Sequence, residues 1–312
     1  MTKILFLDTV HSYLQEELER SGMKCELNNT STYEEIKNII HEYNGIIIRS
    51  RFKLDKSIID RATNLKFIAR AGAGLENIDI AYAGSKGIHC IHAPEGNRDA
   101  VGEHALGMLI ALFNNLCKAN AEVRNGIWIR EGNRGIELMG KTVGIIGYGN
   151  MGTAFAKRLQ GFEVKVLAYD KYKQNYADTY AIEATLENIF EEADVLSLHV
   201  PLTDETNYMV NDTFINKFKK NIYIINTARG KVINTNDLVK NMRSGKVLGA
   251  CLDVLEYENL SFENIEKVHL PEAFEYLIKS EKVVLSPHIA GWTQESNLKI
   301  AMVLAEKIKI LI

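Results

Sequence analysis

The chain has 312 residues, which is more than one domain usually contains, so two domains are expected. Hydrophobic residues make up 46% and charged residues 25%, values that exclude a disordered chain or a bundle of membrane spans. The formal charge of −3 comes from intermixed acidic and basic residues without a long basic run, so neither nucleic acid nor a membrane is an expected partner.

Short apolar runs alternate with longer amphipathic segments along the first third of the chain. The opening run, residues 4–7, is too short for a secretory signal and predicts a buried strand. Further strands are predicted at 46–48, 67–69 and 88–91, and helices at 13–20, 56–62 and 80–86. Such alternation is typical of a parallel sheet covered by helices on both faces.

A second alternating series follows in the rest of the chain. Its predicted strands are 143–146, 164–168, 195–198, 222–225, 247–252 and 283–285. Because each series can form its own sheet, we predict an α/β protein with two doubly wound parallel-sheet domains. An amphipathic helix over residues 294–312 is expected to pack back on the first domain.

One long helix is predicted between the two series, over residues 101–124. Its apolar side chains cover more than one helix face, which predicts burial on several sides. Packing between the two domains or between two subunits would provide this burial, and of these a homodimer is expected. The apolar residues concerned are Leu106, Met108, Leu109, Ile110, Leu112, Phe113 and Leu116.

A glycine-rich turn directly follows the predicted strand at 143–146. Gly147, Gly149 and Gly152 have the G-x-G-x-x-G spacing. The first permits a tight turn, the second lets a pyrophosphate approach the backbone, and the third lets helix and strand pack closely. The next strand leads to Asp170, 18 residues after Gly152, where a carboxylate would bind both ribose hydroxyls and repel a 2′-phosphate. The pattern predicts NAD rather than NADP.

Three later strand ends carry residues suited to hydride transfer. Arg229, then Asp253 with Glu258, and then His288 each follow a different predicted strand. Ligands of open parallel sheets bind at the carboxyl ends of the strands, so these side chains are expected near the nicotinamide. A 2-keto acid needs a fork of donors for its carboxylate and an acid for the forming alkoxide. A solvated arginine and an ordinary loop histidine are the alternative interpretation.

Over essentially its full length the chain resembles the D-isomer-specific 2-hydroxyacid dehydrogenase family, in a short form without a C-terminal regulatory domain. The motifs that carry the resemblance are spread along both predicted domains. They are Ile48-Arg49-Ser50-Arg51, Ala69-Arg70-Ala71-Gly72-Ala73-Gly74 with Asn77 and Asp79, Gly102-Glu103-His104, the turn at 147–152, His199-Val200-Pro201, Asn226-Thr227-Ala228-Arg229-Gly230, Asp253 with Glu258, and Pro287-His288.

The resemblance implies a flavodoxin-like substrate (catalytic) domain, residues 1–99 with 294–312, and a Rossmann-type NAD-binding domain, residues 100–293. It implies that His288 is the general acid and base and that Glu258 orients it and stabilises its protonated form. Arg229 would grip the substrate carboxylate and polarise the C2 oxygen.

The other site residues implied by the resemblance fall into two groups. The cofactor group is Gly147, Gly149, Asn150, Met151, Gly152, Asp170, His199, Pro201, Thr227, Ala228, Asp253 and Gly291, with Asp253 holding the nicotinamide carboxamide. The substrate group is Arg49, Ser50, Arg70, Ala73 and Gly74, the last two through their backbone N–H groups. No metal site is implied.

The identity of the 2-hydroxy acid depends on cations in the first domain. Arg49, Arg51 and Arg70 suit a phosphate at the far end of a three-carbon acid. The alternative is that they pair with surface acids, namely Asp55, Glu76 or Asp79. The resemblance favours 3-phosphoglycerate, oxidised to 3-phosphohydroxypyruvate in serine biosynthesis. Glyoxylate, hydroxypyruvate and D-lactate stay open, because Trp292 and the long segment 259–282 depart from the family pattern.

Two broader expectations complete the interpretation. The four cysteines have no metal-ligand spacing and no apolar run is long enough to span a membrane, so reduced structural thiols and a cytoplasmic location are expected. A different class of function, an NADH-responsive binding protein, is the remote alternative, because relatives of this fold bind partner peptides. Steady oxidation of NADH by a keto acid would distinguish the enzyme.

Overall fold

The computed structural model describes residues 1–258 and 271–312, which form two compact units. One unit comprises Met1–Arg98 and Trp292–Ile312, and the other comprises the described residues from 99 to 291. The segment 259–282, singled out in the sequence, lies partly outside the described residues.

The first unit is built on a five-stranded parallel sheet. Its strands are β1 (Lys3–Phe6), β2 (Lys24–Leu27), β3 (Gly45–Ile48), β4 (Phe67–Arg70) and β5 (His89–His92). They lie in the order β2-β1-β3-β4-β5, the order of flavodoxin-like sheets, so the predicted fold class of this unit is confirmed. The helices are α1 (Ser12–Arg20), α2 (Tyr33–Ile39), α3 (Lys56–Ile59), α4 (Ile80–Ser85) and a C-terminal helix (Gln294–Leu311).

Two elements of this unit, β2 and α2, were not predicted. β2 is an edge strand whose sequence includes Lys24 and Glu26, and charged side chains are common on edges because they discourage pairing with other chains. α2 has only seven residues, so the apolar side chains that it packs on the core, Tyr33, Ile36 and Ile39, span too few turns for a clear periodicity. Its start is marked by a capping box between Thr32 and Glu35.

The C-terminal helix completes the apolar core on one face of this sheet. Its buried residues Ala301, Leu304, Ala305 and Ile308 pack with side chains from β1 and α1. Their spacing follows one helical stripe. Met302, on the same helix, is 40% exposed because it lies beside that stripe.

The second unit is built on a seven-stranded parallel sheet. Its strands are β6 (Thr142–Ile146), β7 (Lys165–Tyr169), β8 (Ile182–Glu183), β9 (Val195–Leu198), β10 (Ile222–Asn226), β11 (Val247–Leu252) and β12 (Val283–Leu285). Their order is β12-β11-β10-β9-β6-β7-β8. From β8 to β11 this is the Rossmann order, and β12 extends it, so the predicted fold class is confirmed here also.

Helices cover both faces of this second sheet. They are α5 (Pro94–Phe113), which begins in the first unit, α6 (Leu116–Arg124), α7 (Asn150–Leu159), α8 (Leu186–Glu192), α9 (Asp212–Ile215), α10 (Thr235–Arg243) and α11 (Glu272–Lys279). Successive strand residues enter opposite cores: Ile145 and Ile225 belong to one, and Ile146 and Ile224 to the other.

The helix predicted over residues 101–124 is in fact two helices. α5 and α6 meet at a bend of 62°. Asn115 at the break is left-handed, with φ 50°, a conformation that asparagine tolerates better than most residues. Met108 and Leu112 are buried, whereas Leu116 is 52% exposed, so the apolar surface of this region is not all covered within the chain. No single helix in the described ranges is long and apolar enough to span a membrane, although α5 and α6 together satisfy the length and composition.

Candidate functional site

The glycine-rich turn after β6 leaves backbone N–H groups open at a helix start. Gly147 has φ 92°, and a Cβ there would lie 2.5 Å from the carbonyl oxygen of His199. A Cβ at Gly152 would lie 2.1 Å from the carbonyl oxygen of Gly147. Only glycine at this position therefore lets the strand and the helix approach each other so closely. Gly149 precedes α7 without a side-chain cap and has open space around it. The first turn of α7, which begins with Asn150 and Met151, can therefore receive an anion.

Asp170, which follows β7, is joined to this turn by hydrogen bonds. Its Oδ2 accepts from the backbone N–H of Tyr148 at 2.9 Å, and its Oδ1 accepts from that of Tyr172 at 3.0 Å. Lys173 donates from Nζ to the carbonyl oxygen of Tyr148 at 2.6 Å. The carboxylate is thereby held beside the glycine turn, where a ribose-binding group is expected.

Two buried polar atoms near the ends of β9 and β10 make no hydrogen bond to the part of the chain that the structure describes. They are Nδ1 of His199 and Oγ1 of Thr227. His199 Nε2 lies 2.8 Å from the hydroxyl of Ser197, and burial lowers the pKa of His199 to about 3, so the ring is neutral. Buried polar atoms usually have partners, so these two fit a site that a polar ligand completes. Pro201 follows in the loop after β9.

The loop after β10 is shaped by Asn226, whose role the sequence did not reveal. Its Oδ1 accepts from the backbone N–H of Ala228, and its Nδ2 donates to the carbonyl oxygen of Arg229, both at 3.0 Å. A Cβ at Gly230 would lie 2.0 Å from the backbone of Leu255. The arginine loop therefore packs directly on the segment that leads to Glu258.

Glu258 and His288 form the central polar contact of the second unit. Nδ1 of His288 lies 2.6 Å from Oε2 of Glu258, and their side chains are 22% and 12% exposed. A carboxylate only accepts, so Nδ1 carries the proton. The backbone N–H of Leu255 donates to Oε1 of the same carboxylate, which fixes its orientation. Nε2 of His288 is then the nitrogen that can exchange a proton with a substrate.

The loop that carries His288 is held by Asp253. His288 has φ 54°, in the left-handed region, and its backbone N–H donates to the carbonyl oxygen of Asp253 at 2.7 Å. The Asp253 carboxylate, 1% exposed, accepts from the hydroxyl of Ser286 at 2.6 Å and from the N–H groups of Ile289 and Ala290 at 2.8 and 2.9 Å. These bonds hold the histidine backbone in a conformation that is unfavourable in isolation. Gly291 ends this loop.

His104 belonged to a resemblance motif without a predicted role. Its Nε2 lies 2.9 Å from the hydroxyl of Ser286 and 3.6 Å from Oδ1 of Asp253. The predicted contact of Asp253 with a carboxamide stays a prediction. What the structure shows is a carboxylate with three protein donors that positions the histidine loop.

In the first unit, Asp8 organises the loop that contains Arg49 and Ser50. Its Oδ2 accepts from the backbone N–H groups of Arg49, Ser50 and Arg51 at 2.6, 3.2 and 3.4 Å. The backbone N–H of Ser50 is therefore already used by Asp8. The sequence analysis assigned no role to Asp8, which directly follows the apolar run at 4–7.

The three arginines expected in a phosphate site differ in their contacts. Arg51 donates to the carbonyl oxygens of Leu7, Asn28 and Ser31, so it stabilises the fold. These contacts match neither a phosphate contact nor pairing with a surface acid. Arg70 donates from Nε to the carbonyl oxygen of Arg49 at 3.1 Å. The Arg49 guanidinium instead lies over the ring of Trp292, 4.4 Å from its centroid.

The remaining predicted substrate residues, Ala73 and Gly74, follow β4. A Cβ at Gly72 would lie 1.9 Å from Nη1 of Arg70, so the arginine side chain crosses the loop directly beside them. Both residues are partly exposed. Arg49, Ser50, Arg70, Ala73 and Gly74 thus lie at the carboxyl ends of the neighbouring strands β3 and β4 or in the loops that follow them.

The strand-end loops of the second unit carry side chains suited to proton transfer and to carboxylate binding. His288 can accept and donate a proton. Arg229 follows the end of β10, and its guanidinium can bind a carboxylate. NAD, when bound, supplies or accepts the hydride. The glycine turn, Asp170 and the two unsatisfied polar atoms fit such a dinucleotide.

Comparison with known proteins agrees with this geometry. The NAD binding domain model of the D-isomer specific 2-hydroxyacid dehydrogenases matches residues 106–290. A hydroxypyruvate reductase from Thermotoga maritima is 38% identical over 288 residues, covering 91% of each chain. A D-3-phosphoglycerate dehydrogenase from Archaeoglobus fulgidus is 34% identical over 308 residues, which are 98% of this chain but 56% of that protein.

A solved structure adds the cofactor. D-Lactate dehydrogenase from Aquifex aeolicus, complexed with NAD and lactic acid, has a TM-score of 0.84 at 28% identity, covering 99% of this chain and 94% of that one. NAD is accordingly the cofactor of this protein. The chain belongs to the D-isomer specific 2-hydroxyacid dehydrogenase family and is an NAD-dependent enzyme of that class.

Proposed function

We propose that this enzyme interconverts 3-phosphoglycerate and 3-phosphohydroxypyruvate, a reaction of serine biosynthesis. His288 exchanges the proton of the C2 oxygen, Glu258 stabilises its imidazolium form, and Arg229 binds the carboxylate and polarises the C2 oxygen. The backbone N–H groups of Ala73 and Gly74 complete the carboxylate site.

The observation that supports a phosphorylated substrate is the set of contacts that the Arg49 guanidinium makes. Its guanidinium makes no ion pair and no side-chain hydrogen bond with the described residues, while one face rests on Trp292. Stacking on an aromatic ring orients the planar group and leaves its edge donors available. A guanidinium edge matches two phosphate oxygens, so Arg49 suits the far end of a phosphorylated three-carbon acid.

Hydroxypyruvate, with glyoxylate or D-lactate as further possibilities, is the second candidate substrate. Two observations favour it. Arg51 is engaged with backbone carbonyls, which removes one of the three cations expected around a phosphate. The Thermotoga hydroxypyruvate reductase also matches over 91% of its own length, against 56% for the Archaeoglobus phosphoglycerate enzyme.

A substrate panel tests the proposal directly. Purified enzyme with NADH is assayed by absorbance against 3-phosphohydroxypyruvate, hydroxypyruvate, glyoxylate and pyruvate, and with NAD against 3-phosphoglycerate. We expect the highest kcat/KM for 3-phosphohydroxypyruvate. A higher kcat/KM for any unphosphorylated acid would replace this substrate with that one, and no oxidation of NADH by any acid would favour a binding protein.

The cofactor contacts are proposed for the same residues that the sequence indicated. The pyrophosphate would lie on the first turn of α7, and the ribose on Asp170. The remaining contacts are assigned to the strand-end loops of the second unit: His199, Pro201, Thr227, Ala228, Asp253 and Gly291.

A homodimer is part of the proposal, supported by an exposed apolar region in the second unit. Trp128 is 79% exposed, and large apolar side chains near it in sequence are also exposed: Leu116, Val123, Ile127, Ile129 and Met139. Exposed apolar surface of this extent is typical of an interface. Sedimentation should give twice the monomer mass, and a monomer at micromolar concentration would contradict the assignment.

We place the enzyme in the cytoplasm, which cell fractionation can check.

A further inference from the structure

Two loops of the first unit are joined immediately after adjacent strands. β4 and β5 are parallel neighbours, and Arg70 at the end of one is paired with His92 at the end of the other. The backbone N–H of Ala93 donates to the carbonyl oxygen of Gly72 at 2.9 Å. Nδ1 of His92 lies 2.5 Å from the carbonyl oxygen of Ala73. Two successive carbonyl groups of one loop are thus held by two successive residues of the other.

This pairing determines the direction of the next two N–H groups. In a trans peptide, the carbonyl of one residue and the N–H of the following residue point in opposite directions. Because the carbonyls of Gly72 and Ala73 point toward His92 and Ala93, the N–H groups of Ala73 and Gly74 point away from them. Neither N–H donates a hydrogen bond to any residue within 1–258 or 271–312. Successive N–H groups on one side of a loop form a concave site for an anion.

The hydrogen bond from His92 has a defined donor. A carbonyl oxygen only accepts, so Nδ1 carries the proton in both the neutral ring and the cation. The backbone of His92 is also fixed, because Lys307 donates from Nζ to its carbonyl oxygen and to both carboxylate oxygens of Glu95, each at 2.9 Å. The C-terminal helix thereby holds the residue that holds the loop.

We propose that His92 is a positioning residue for the substrate carboxylate, because it orients the peptide groups that present the Ala73 and Gly74 N–H donors. The inference rests on the proposed function of that loop as the carboxylate site. His92 does not contact the substrate. It acts by holding the Ala73 carbonyl, so that the donors are oriented before the substrate arrives.

The test compares three variants of the whole enzyme. His92→Phe keeps an aromatic ring but removes the donor. His92→Asn keeps a donor the same number of bonds from the backbone. His89→Phe is the matched control, since His89 is exposed, lies on the same strand and makes no hydrogen bond with the described residues of the loop. Each protein is measured for NADH affinity by fluorescence, for KM and kcat with the best keto acid of the panel, for the inhibition constant of oxalate, and for Tm.

His92→Phe should raise the KM of the keto acid and the inhibition constant of oxalate by about 5- to 20-fold, the effect of one hydrogen bond, with NADH affinity and kcat nearly unchanged. His92→Asn should recover most of this loss, and His89→Phe should match the wild type.

Wild-type KM and oxalate inhibition in His92→Phe would overturn the assignment of His92 while leaving the enzymatic proposal intact. Equal losses of NADH affinity, kcat and Tm in both His92 variants would also overturn it, because they indicate a general structural role. If the wild-type enzyme reduces no keto acid, the proposed function fails instead, and oxalate binding to the NADH-bound protein still tests the loop.

Discussion

Nδ1 of His288 lies 2.6 Å from Oε2 of Glu258, so the carboxylate fixes the ring through one nitrogen, and the proposed proton transfer is assigned to the other, Nε2. His288→Ala should lower kcat by about 10²- to 10⁴-fold, the usual contribution of general acid–base catalysis, with little change in NADH affinity. Steady-state kinetics and NADH fluorescence titration check both. Turnover near that of the wild type would rule out His288 as the proton donor.

Glu258→Gln keeps the size of the side chain but removes the charge that stabilises the imidazolium. We expect kcat to fall by about 10-fold, because a charge-assisted hydrogen bond becomes a neutral one. The matched control is Glu256→Gln, since Glu256 is a nearby acid whose Oε2 accepts from the Thr235 N–H and does not contact the histidine. An equal loss in both variants would mean that the effect is structural.

Asp170 should set the preference for NAD over NADP. Its charge repels a 2′-phosphate, so wild-type kcat/KM should be higher with NADH than with NADPH. Asp170→Asn keeps an acceptor for the Tyr148 or Tyr172 N–H and removes the charge. Lys173 then remains as the cation near the turn, so NADPH activity should rise relative to NADH. A wild-type preference for NADPH would show that Asp170 does not select the cofactor.

The arginines of the first unit should separate phosphate binding from loop support. Arg49→Ala should lower kcat/KM for 3-phosphohydroxypyruvate by about 10- to 150-fold, the loss of charge-assisted hydrogen bonds worth ~1.5–3 kcal/mol. Slow activity on hydroxypyruvate should barely change. Arg70→Ala should impair both substrates, because Arg70 supports the Arg49 carbonyl and crosses the loop at Gly72. Equal losses on both acids in Arg49→Ala would exclude a phosphate contact.

Asp253 should contribute to stability as well as to catalysis. Asp253→Asn places an amide NH₂ where a carboxylate oxygen accepts from Ile289 or Ala290, so one buried N–H loses its acceptor. We expect a loss of about 1–3 kcal/mol in the free energy of unfolding, measured with urea. Ser286→Ala removes only one of the three donors and should have a smaller effect. Unchanged stability in Asp253→Asn would show that these bonds do not hold the loop.

His199 should make the apoprotein sensitive to acid. Burial lowers its pKa from 6.5 to about 3, so between these values the unfolded chain binds a proton that the folded chain does not. Stability therefore falls as the pH is lowered through this window, by up to about 1.4 kcal/mol per pH unit. His199→Gln should reduce that slope when unfolding by urea is compared at pH 6.5 and 4.5. An unchanged slope would assign the acid sensitivity to other groups.

Local patterns were sufficient for the fold class and the glycine turn. The spacing of Gly147 and Gly152 indicates a tight turn and close packing of the backbone within a few residues. Alternating apolar runs indicate a buried parallel sheet. The position of Asp170 follows from the same unit, because it lies at the end of the next strand. Such features can be predicted from the sequence because the residues that determine them lie close together in the chain.

Contacts between distant segments were decided only by the tertiary structure. Asp8 meets the Arg49 loop across 41 residues, and His92 meets Ala73 across 19. The engagement of Arg51 with backbone carbonyls likewise depends on which loops come together. A charged or polar side chain has the same appearance in the sequence whether it binds a ligand or a carbonyl group, and only packing determines which partner is within hydrogen-bond distance.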